Sequence, residues 1–546
     1  MANLPIRRLG AVGVITDIKP AELPPNAFTD CNNVIFDDDS VQRAPVFKQA
    51  YPAIRSSLSY DSSVDTYDSI SYNYDNAEGG SNSDSRFVSS YADPVDGTTV
   101  FVCDKDGVIR SYPGGNVSYV TPGSGLVTNE SVWSHAQVAG QSILARTGMV
   151  PMIRNILDDP TYSKMANDWG ATDTAAVVRG YNDFILLFDI AKGTTHYPTM
   201  VKWCNPVEYG AAVSTVTWDP SNPANVAGEN VLGDLRTPIR DGLTLGSAFV
   251  IYAQDQLWLM EYTGSSFVFN FRKLPYDGGI INTNCVIEVE GRHYVFGESD
   301  IYMHDGNTKQ SLADRRVRRR IYNTLNRAKQ GVCFMLHDSQ ANLLYFCYNT
   351  THVSAQFTNT QFTNQAAVYN YRSDTWSFMD LPNVVGGAEV DLPSVKPKIP
   401  VVLGSTDLAN GLTESRVYAL DLIEGGVVDL PVTEETEKPS MAERIGMDLD
   451  DAGIALPLRS YKAITGMVPQ AQLDNEADTF TFQFGCADLP NASPDYQRTA
   501  VFNPSTDYKI DARVAGRYLA YKFTTETEGN FKFSGFDAEV KSLSGR

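Results

Sequence analysis

The sequence predicts an all-β chain: a β-propeller of about six blades, with an additional C-terminal β-rich unit and one short basic helix. Three observations predict it. Short apolar runs are joined by tight polar turns, hairpin-rich units recur about every 40 to 50 residues, and helical periodicity is confined to one segment. Seven such units in succession are too many strands for one small sandwich, whereas radial repetition leaves only short, protected edges. Stacked sandwiches or a β-solenoid would write a similar pattern.

The first clear hairpin spans residues 99–112, where Val100, Val102, Val108 and Ile109 flank the turn Asp104-Lys105-Asp106-Gly107. Gly107 can supply the positive φ that such a turn needs. Similar units follow at 177–188, at 248–262 around Asp255-Gln256, and at 285–302 with turns at Glu290-Gly291 and Glu298-Ser299-Asp300. Further ones lie at 332–348, 366–378 and 400–422.

One segment is helical. Asp314 can cap its start, and Val317, Ile321, Leu325 and Ala328 form an apolar stripe that runs to Lys329. The rest of its surface carries Arg315, Arg316, Arg318, Arg319, Arg320 and Arg327, the one basic cluster of an acidic chain. The five arginines from Arg315 to Arg320 are therefore the candidate interface residues, suited to bidentate pairing with carboxylates on a neighbouring molecule.

The domain plan follows from composition. Residues 1–50 are expected to add N-terminal strands to a propeller over 51–430, with loop insertions near 56–85 and 205–240. Residues 431–455 read as an acidic linker and 456–546 as the C-terminal β-rich unit. With 42% hydrophobic and 20% charged residues the chain can bury a large core. Its 44 basic against 65 acidic residues give a net charge of -21, which disfavours a sequence-reading nucleic-acid binder. No apolar run has the length of a signal peptide core or a membrane span.

Residue patterns that carry chemistry are missing. The chain has no HExxH, GxSxG, GxxxxGK or EF-hand loop, and its seven cysteines show no CxxC spacing. His293 and His304 are expected to be hydrogen-bonded structural histidines, Asp37-Asp38-Asp39 a hairpin turn, and Ser373-Asp374-Thr375-Trp376 a strand–turn–strand. No enzyme activity, cofactor or metal is expected.

The N-terminal stretch carries a resemblance. Gly13-Val14-Ile15-Thr16-Asp17, Leu23-Pro24-Pro25-Asn26-Ala27-Phe28, Asn32-Asn33-Val34-Ile35-Phe36 and Arg43-Ala44-Pro45 resemble the opening of the podovirus (short-tailed bacteriophage) tail nozzle family, also called tail tubular protein B or tail stabilisation protein. Residues 311–326 with 332–348, Val368-Tyr369-Asn370-Tyr371 with Trp376, Gly516-Arg517-Tyr518, 531–540 and Gly545-Arg546 resemble its middle and end.

The resemblance implies a structural virion protein of the tail, made in the host cytoplasm. It implies a homo-oligomeric ring, a hexamer, with interfaces of at least roughly 1,000 Å² each. Its other implied partners are the tail adaptor or portal-proximal ring, tail fibres, and genomic DNA passing without sequence recognition. The lumen of such a ring is expected to be acidic and neutral, because a basic wall would hold the DNA it must release. The chain is shorter than many nozzle proteins, which leaves open whether 56–85, 205–240 or the segment after 456 forms a tail tip. The competing readings are an extracellular glycan-binding or glycan-cleaving propeller and a cytoplasmic peptide-binding scaffold.

Overall fold

Turn chemistry decides the local architecture. Gly107 sits at φ 89°, and Glu290 and Gly291 at 52° and 75°, the left-handed backbone that tight hairpins require. Asp38 and Asp39, at 45° and 60°, turn the chain between the strands Val34–Asp37 and Ser40–Arg43, as expected. The computed structural model describes residues 2–51, 54–55, 84–93, 97–113, 117–123, 127–265, 267–352, 360–392, 395–407, 413–421, 439–449, 460–526 and 529–543.

Five four-stranded antiparallel sheets follow one another along the chain, each strand paired with its sequence neighbours. They begin at Ser85–Asp93, Ser134–Val138, Thr174–Tyr181, Ile239–Leu245 and Val286–Val289. A sixth sheet is double-length, because Thr375–Leu392 pairs through its first half with Thr363–Asn370 and through its second with Val395–Asp407. That one strand is both the outer strand of blade 6 and the inner strand of blade 7. Phe47–Gln49 closes blade 7 by pairing with Thr413–Leu420, so the N-terminal region is stitched to the last blade.

Separate apolar cores fill the seams between successive blades, and one of them packs Val390, Val401 and Leu403 of blade 7 on Val88, Val100 and Val102 of blade 1. The layers therefore form a closed ring, a β-propeller. Two expected units, 332–348 and 366–378, belong to a single blade, while the blade starting at Ser134 was not among the expected units. Its strands bury Ser134, Gln141 and Ser142 among Ile143, Leu144 and Met152, so polar residues interrupt its apolar pattern.

A polar hub links five of the blades. Arg179 of blade 3 pairs with Asp241 of blade 4 at 2.7 Å and donates to Asn284 Oδ1 at 2.8 Å. Asn284, at the entrance to blade 5, donates from its side chain to the Trp133 carbonyl before blade 2 and accepts the Met335 N–H of blade 6. Asp241 is fully buried and also accepts the Asn284 N–H at 2.7 Å.

Histidine chains zip two other seams. His293 Nε2 donates to the Thr244 carbonyl at 2.8 Å, which leaves Nδ1 to accept the Tyr252 hydroxyl at 2.7 Å. Tyr252 in turn accepts from His304 Nε2 at 2.6 Å, and His304 Nδ1 accepts the Gly306 N–H and the Tyr276 hydroxyl. Between blades 1 and 2, His135 is bonded to Ser89 and Ser142. Both His293 and His304 are thus structural, as expected.

The second unit is a β-sandwich. One sheet orders Val34–Asp37, Ser40–Arg43, Phe531–Leu543, Tyr461–Leu473 and Val514–Gly516, with Ala2–Arg7 also on Phe531–Leu543. The other orders Asp30–Asn32, Ser440–Met447, Tyr518–Thr525, Phe480–Ala487 and Asp495–Phe502. Phe480, Phe482 and Phe523 of the second sheet meet Phe531 and Phe533 of the first at 5.1–6.3 Å. The alternation Phe-Thr-Phe-Gln-Phe at 480–484 puts every phenylalanine on the inner face.

Two boundaries change accordingly. Of the N-terminal stretch 1–50, only Phe47–Gln49 joins the propeller; its earlier strands complete the sandwich, because the strands after 456 leave edges that need partners. Within the expected linker 431–455, Ser440–Met447 is an interior sandwich strand. Its inward residues Ser440, Ala442 and Arg444 are small or charged, which hid it. Arg444 is buried, its guanidinium donating to the Pro20 and Leu23 carbonyls, and burial lowers its pKa to about 10.

The rest of that linker that falls in 431–438 and 450–455, the excursion at 56–83 and Gly545-Arg546 lie outside the described residues. The segment 205–240 is no free insertion: Trp218 is fully buried against Trp169 at 5.2 Å, and Gly228–Val231 is the outer strand of blade 3. Six cysteines are buried and Cys486 is half-buried, all as free thiols. Among the described residues no helix is long and apolar enough to cross a membrane.

Candidate interaction surface

The arginine segment begins where blade 5 ends. Leu312, Ala313 and Val317 are buried beneath it, and Arg315 turns the chain with φ at 59°. A helix of seven residues, Arg318–Thr324, then buries Ile321, and Leu325 follows on the same face. The expected stripe is present through Leu325. Ala328 is exposed, because the chain has already passed into the 3-10 turn Arg327–Val332.

Asp314 is not the cap. The reversal at Arg315 leaves it a turn too early, where it pairs with Arg318 at 3.6 Å. The carboxylate of Asp17 takes the role instead, accepting the Arg319 N–H at 3.2 and 3.0 Å. The Arg316 carbonyl accepts the N–H groups of Thr16 and Asp17, so the helix start is tied to the N-terminal segment.

The five candidate arginines divide. Arg316 donates to the Asp374 carboxylate at 2.7 Å and to its carbonyl at 2.5 Å. Arg318 donates to the Ser299 carbonyl at 2.8 Å and lies 4.0 Å from Asp300. Arg320 is buried; its guanidinium donates to Asp30 in the sandwich and stacks on Phe378 of blade 6 at 3.7 Å. An outward-facing role for Arg320 is therefore excluded. It pins the propeller to the sandwich.

Within this segment Arg315, Arg319 and Arg327 are exposed and make no ion pair with the described residues. They line a cleft of about 380 Å³ with Arg318 and Tyr322. The cleft's carboxylates are occupied: Asp17 by the helix start, Asp314 by Arg318, and Glu298 by the Gln254 amide.

The clamp extends along the N-terminal segment. Val14 N–H bonds the Trp376 carbonyl at 3.0 Å, and Gly13, at φ 74°, passes so close that a Cβ would sit 2.9 Å from that same oxygen. Asn33 accepts the Asp380 N–H at 2.9 Å and donates its own to the Phe378 carbonyl. Both partners belong to blade 6.

Replacing Arg320 by alanine is expected to cost about 2 to 3 kcal/mol in urea unfolding, toward the low end for a buried pair because Asp30 keeps 23% side-chain exposure. Arg319→Ala is expected to stay within about 0.5 kcal/mol of wild type. Equal losses for the two would contradict this division.

The cap Asp17 and the pin Asp30 carry no sequence signal of their role, since their partners lie 302 and 290 residues away. Among the described residues no group of three or more His, Cys, Asp or Glu side chains could hold a metal ion.

The chain is a β-propeller clamped to a β-sandwich. No family model and no curated protein matches it. Similar solved structures include the WD40 β-propeller domain of Doa1, 9% identical with a TM-score of 0.34, covering 62% of this chain and 94% of that one. The β-propeller domain of Myceliophteria thermophila Cps50 (Swd1) is 8% identical with a TM-score of 0.36, covering 61% and 99%. The sheet order and the seam cores carry the fold on their own.

Proposed function

We propose that the chain is a structural subunit of a short-tailed phage virion, which joins copies of itself in the distal nozzle ring through which the genome leaves. The observation that carries the reading is spatial. Residues that resemble the nozzle family are scattered over both ends and the middle, yet Gly13, Asp17 and Asn33, the arginine segment and Trp376 belong to one clamp, to which the strand Phe531–Leu543 is joined through the same sandwich. A subunit that transmits force between neighbours needs such a joint between its two units.

In this reading DNA passes between subunits, through the middle of their ring, along a lumen of mainly acidic and neutral residues. A glycan-cleaving propeller would instead gather carboxylates and aromatic platforms in one pocket. The cleft at the clamp is lined by arginines, and its carboxylates are already bonded.

Negative-stain microscopy and mass photometry of the purified protein test the reading. The expected particle is a ring with the mass of about six 60.0 kDa chains. A stable monomer at micromolar concentration, a two-fold dimer, or a ring with a net-positive lumen would overturn it.

A further inference from the structure

We infer that the cleft bounded by Arg315, Arg318, Arg319 and Arg327 is the docking site for a carboxylate-bearing surface of a second copy of this chain, which deepens the ring reading above and rests on it for the identity of the partner.

The chain has 65 acidic residues for 44 basic ones, so carboxylate partners are abundant. Arg316, Arg318 and Arg320 each have one. Beside them Arg315, Arg319 and Arg327 make no ion pair among the described residues, although they line one cleft whose own carboxylates Asp17, Asp314 and Glu298 are bonded to the Arg319 N–H, Arg318 and Gln254. Their guanidinium groups are left to take an external carboxylate. The backbone beneath is already held, by the Asp17 cap on Arg319 and the Arg316 carbonyl, so little order remains to be imposed on docking.

Charge selects the partner. A second copy carries 65 acidic residues to present to the cleft, and only local pairing there offsets the repulsion between two chains of net charge -21, so the contact must run from cleft to carboxylate. Charge also selects the geometry. Two arginine clefts placed face to face repel, so cleft must meet acidic surface in a heterologous contact, which generates a ring or an open filament rather than a two-fold dimer.

The test compares wild type with Arg315→Glu/Arg319→Glu/Arg327→Glu by sedimentation equilibrium at low and high salt. Self-association is expected to weaken at least about a hundred-fold in the charge reversal, about ten-fold in the corresponding triple glutamine variant, and to be salt-sensitive in wild type. The melting temperature of the triple glutamine variant should stay with that of wild type, because none of the three arginines has an internal ion pair among the described residues. The reversal variant retains its acidic surface, so adding it to wild type should cap growing assemblies.

Unchanged association in both variants, a wild type that stays monomeric, or binding of a short DNA duplex in preference to a second copy would overturn the inference. Loss of association in the variants, with wild type forming filaments instead of closed rings, would sink the nozzle reading and leave this one standing.

Discussion

Arg179→Met should lower the stability of the propeller by about 3 to 5 kcal/mol, read as a shift of the urea midpoint without a change of slope. The substitution keeps most of the side-chain volume and removes only the guanidinium. Asp241 is then left fully buried without its 2.7 Å partner, and the hub loses the donor to Asn284 that holds blade 3 to blade 5. Pairing the change with Asp241→Asn removes the stranded charge and keeps an acceptor for the Asn284 N–H, so the double variant should recover at least half of the loss. If Arg179→Met costs under about 1 kcal/mol, the hub is not a keystone and each blade seam stands alone.

Acid should open the same ring through its histidines. Burial holds His135 near a pKa of about 3 and His293 near about 4, while burial and then the neighbouring His293 hold His304 near about 3. In the unfolded chain all three would titrate near about 6.5. Their folded pKa values are depressed, so below about 6.5 the unfolded state binds more protons. The stability they contribute is complete above that pH and is lost as pH falls toward 4.

The hydrogen-bond pattern gives the reason. Nδ1 of His293 and Nδ1 of His304 already accept bonds, so a proton on His293 displaces the Tyr252 hydroxyl and a proton on His304 displaces the Gly306 N–H and the Tyr276 hydroxyl. Arg179 disfavours a charge on His135 and Lys309 one on His304, while Asp241 and Glu288 beside His293 and Asp305 beside His304 only soften the effect. Three histidines give a slope of about 4 kcal/mol per pH unit near pH 5, against which buried carboxylates such as Asp104 and Asp338, raised mainly by burial, act in the opposite sense. Melting curves from pH 7.5 to 4.5 should show the fall, and His304→Gln should be shallower by about 1.4 kcal/mol per pH unit. A slope identical in the variant would refute the assignment.

Polar burial explains most of the difference between sequence and structure. The blade at Ser134 buries Ser134, Gln141 and Ser142 among its apolar residues, and the strand Ser440–Met447 buries Arg444, so polar residues interrupt the apolar pattern of both. Where the inner face is apolar, as at Phe249 to Ala253 or Phe480 to Phe484, the strands lie where the pattern puts them. The arginine cluster was legible as a cluster. Which of its members are spent inside the molecule was not.

The sequence by itself determined the turns, through residues such as Gly107, Asp38-Asp39 and Glu290-Gly291 whose backbone preferences act locally, and with them the hairpins and the all-β class. It also determined that one basic segment stands in an acidic chain. Only the tertiary structure decided that one strand, Thr375–Leu392, serves two blades, that strands from the N-terminus leave the propeller for the sandwich, and that Arg320 points inward while Arg315 and Arg319 point out. The physical reason is range. Turn propensity and period-two alternation act over a few residues, whereas the partners that fix register, capping and ion pairing, such as Asp17 with Arg319 or Asn33 with Asp380, lie hundreds of residues apart and meet only when the ring closes.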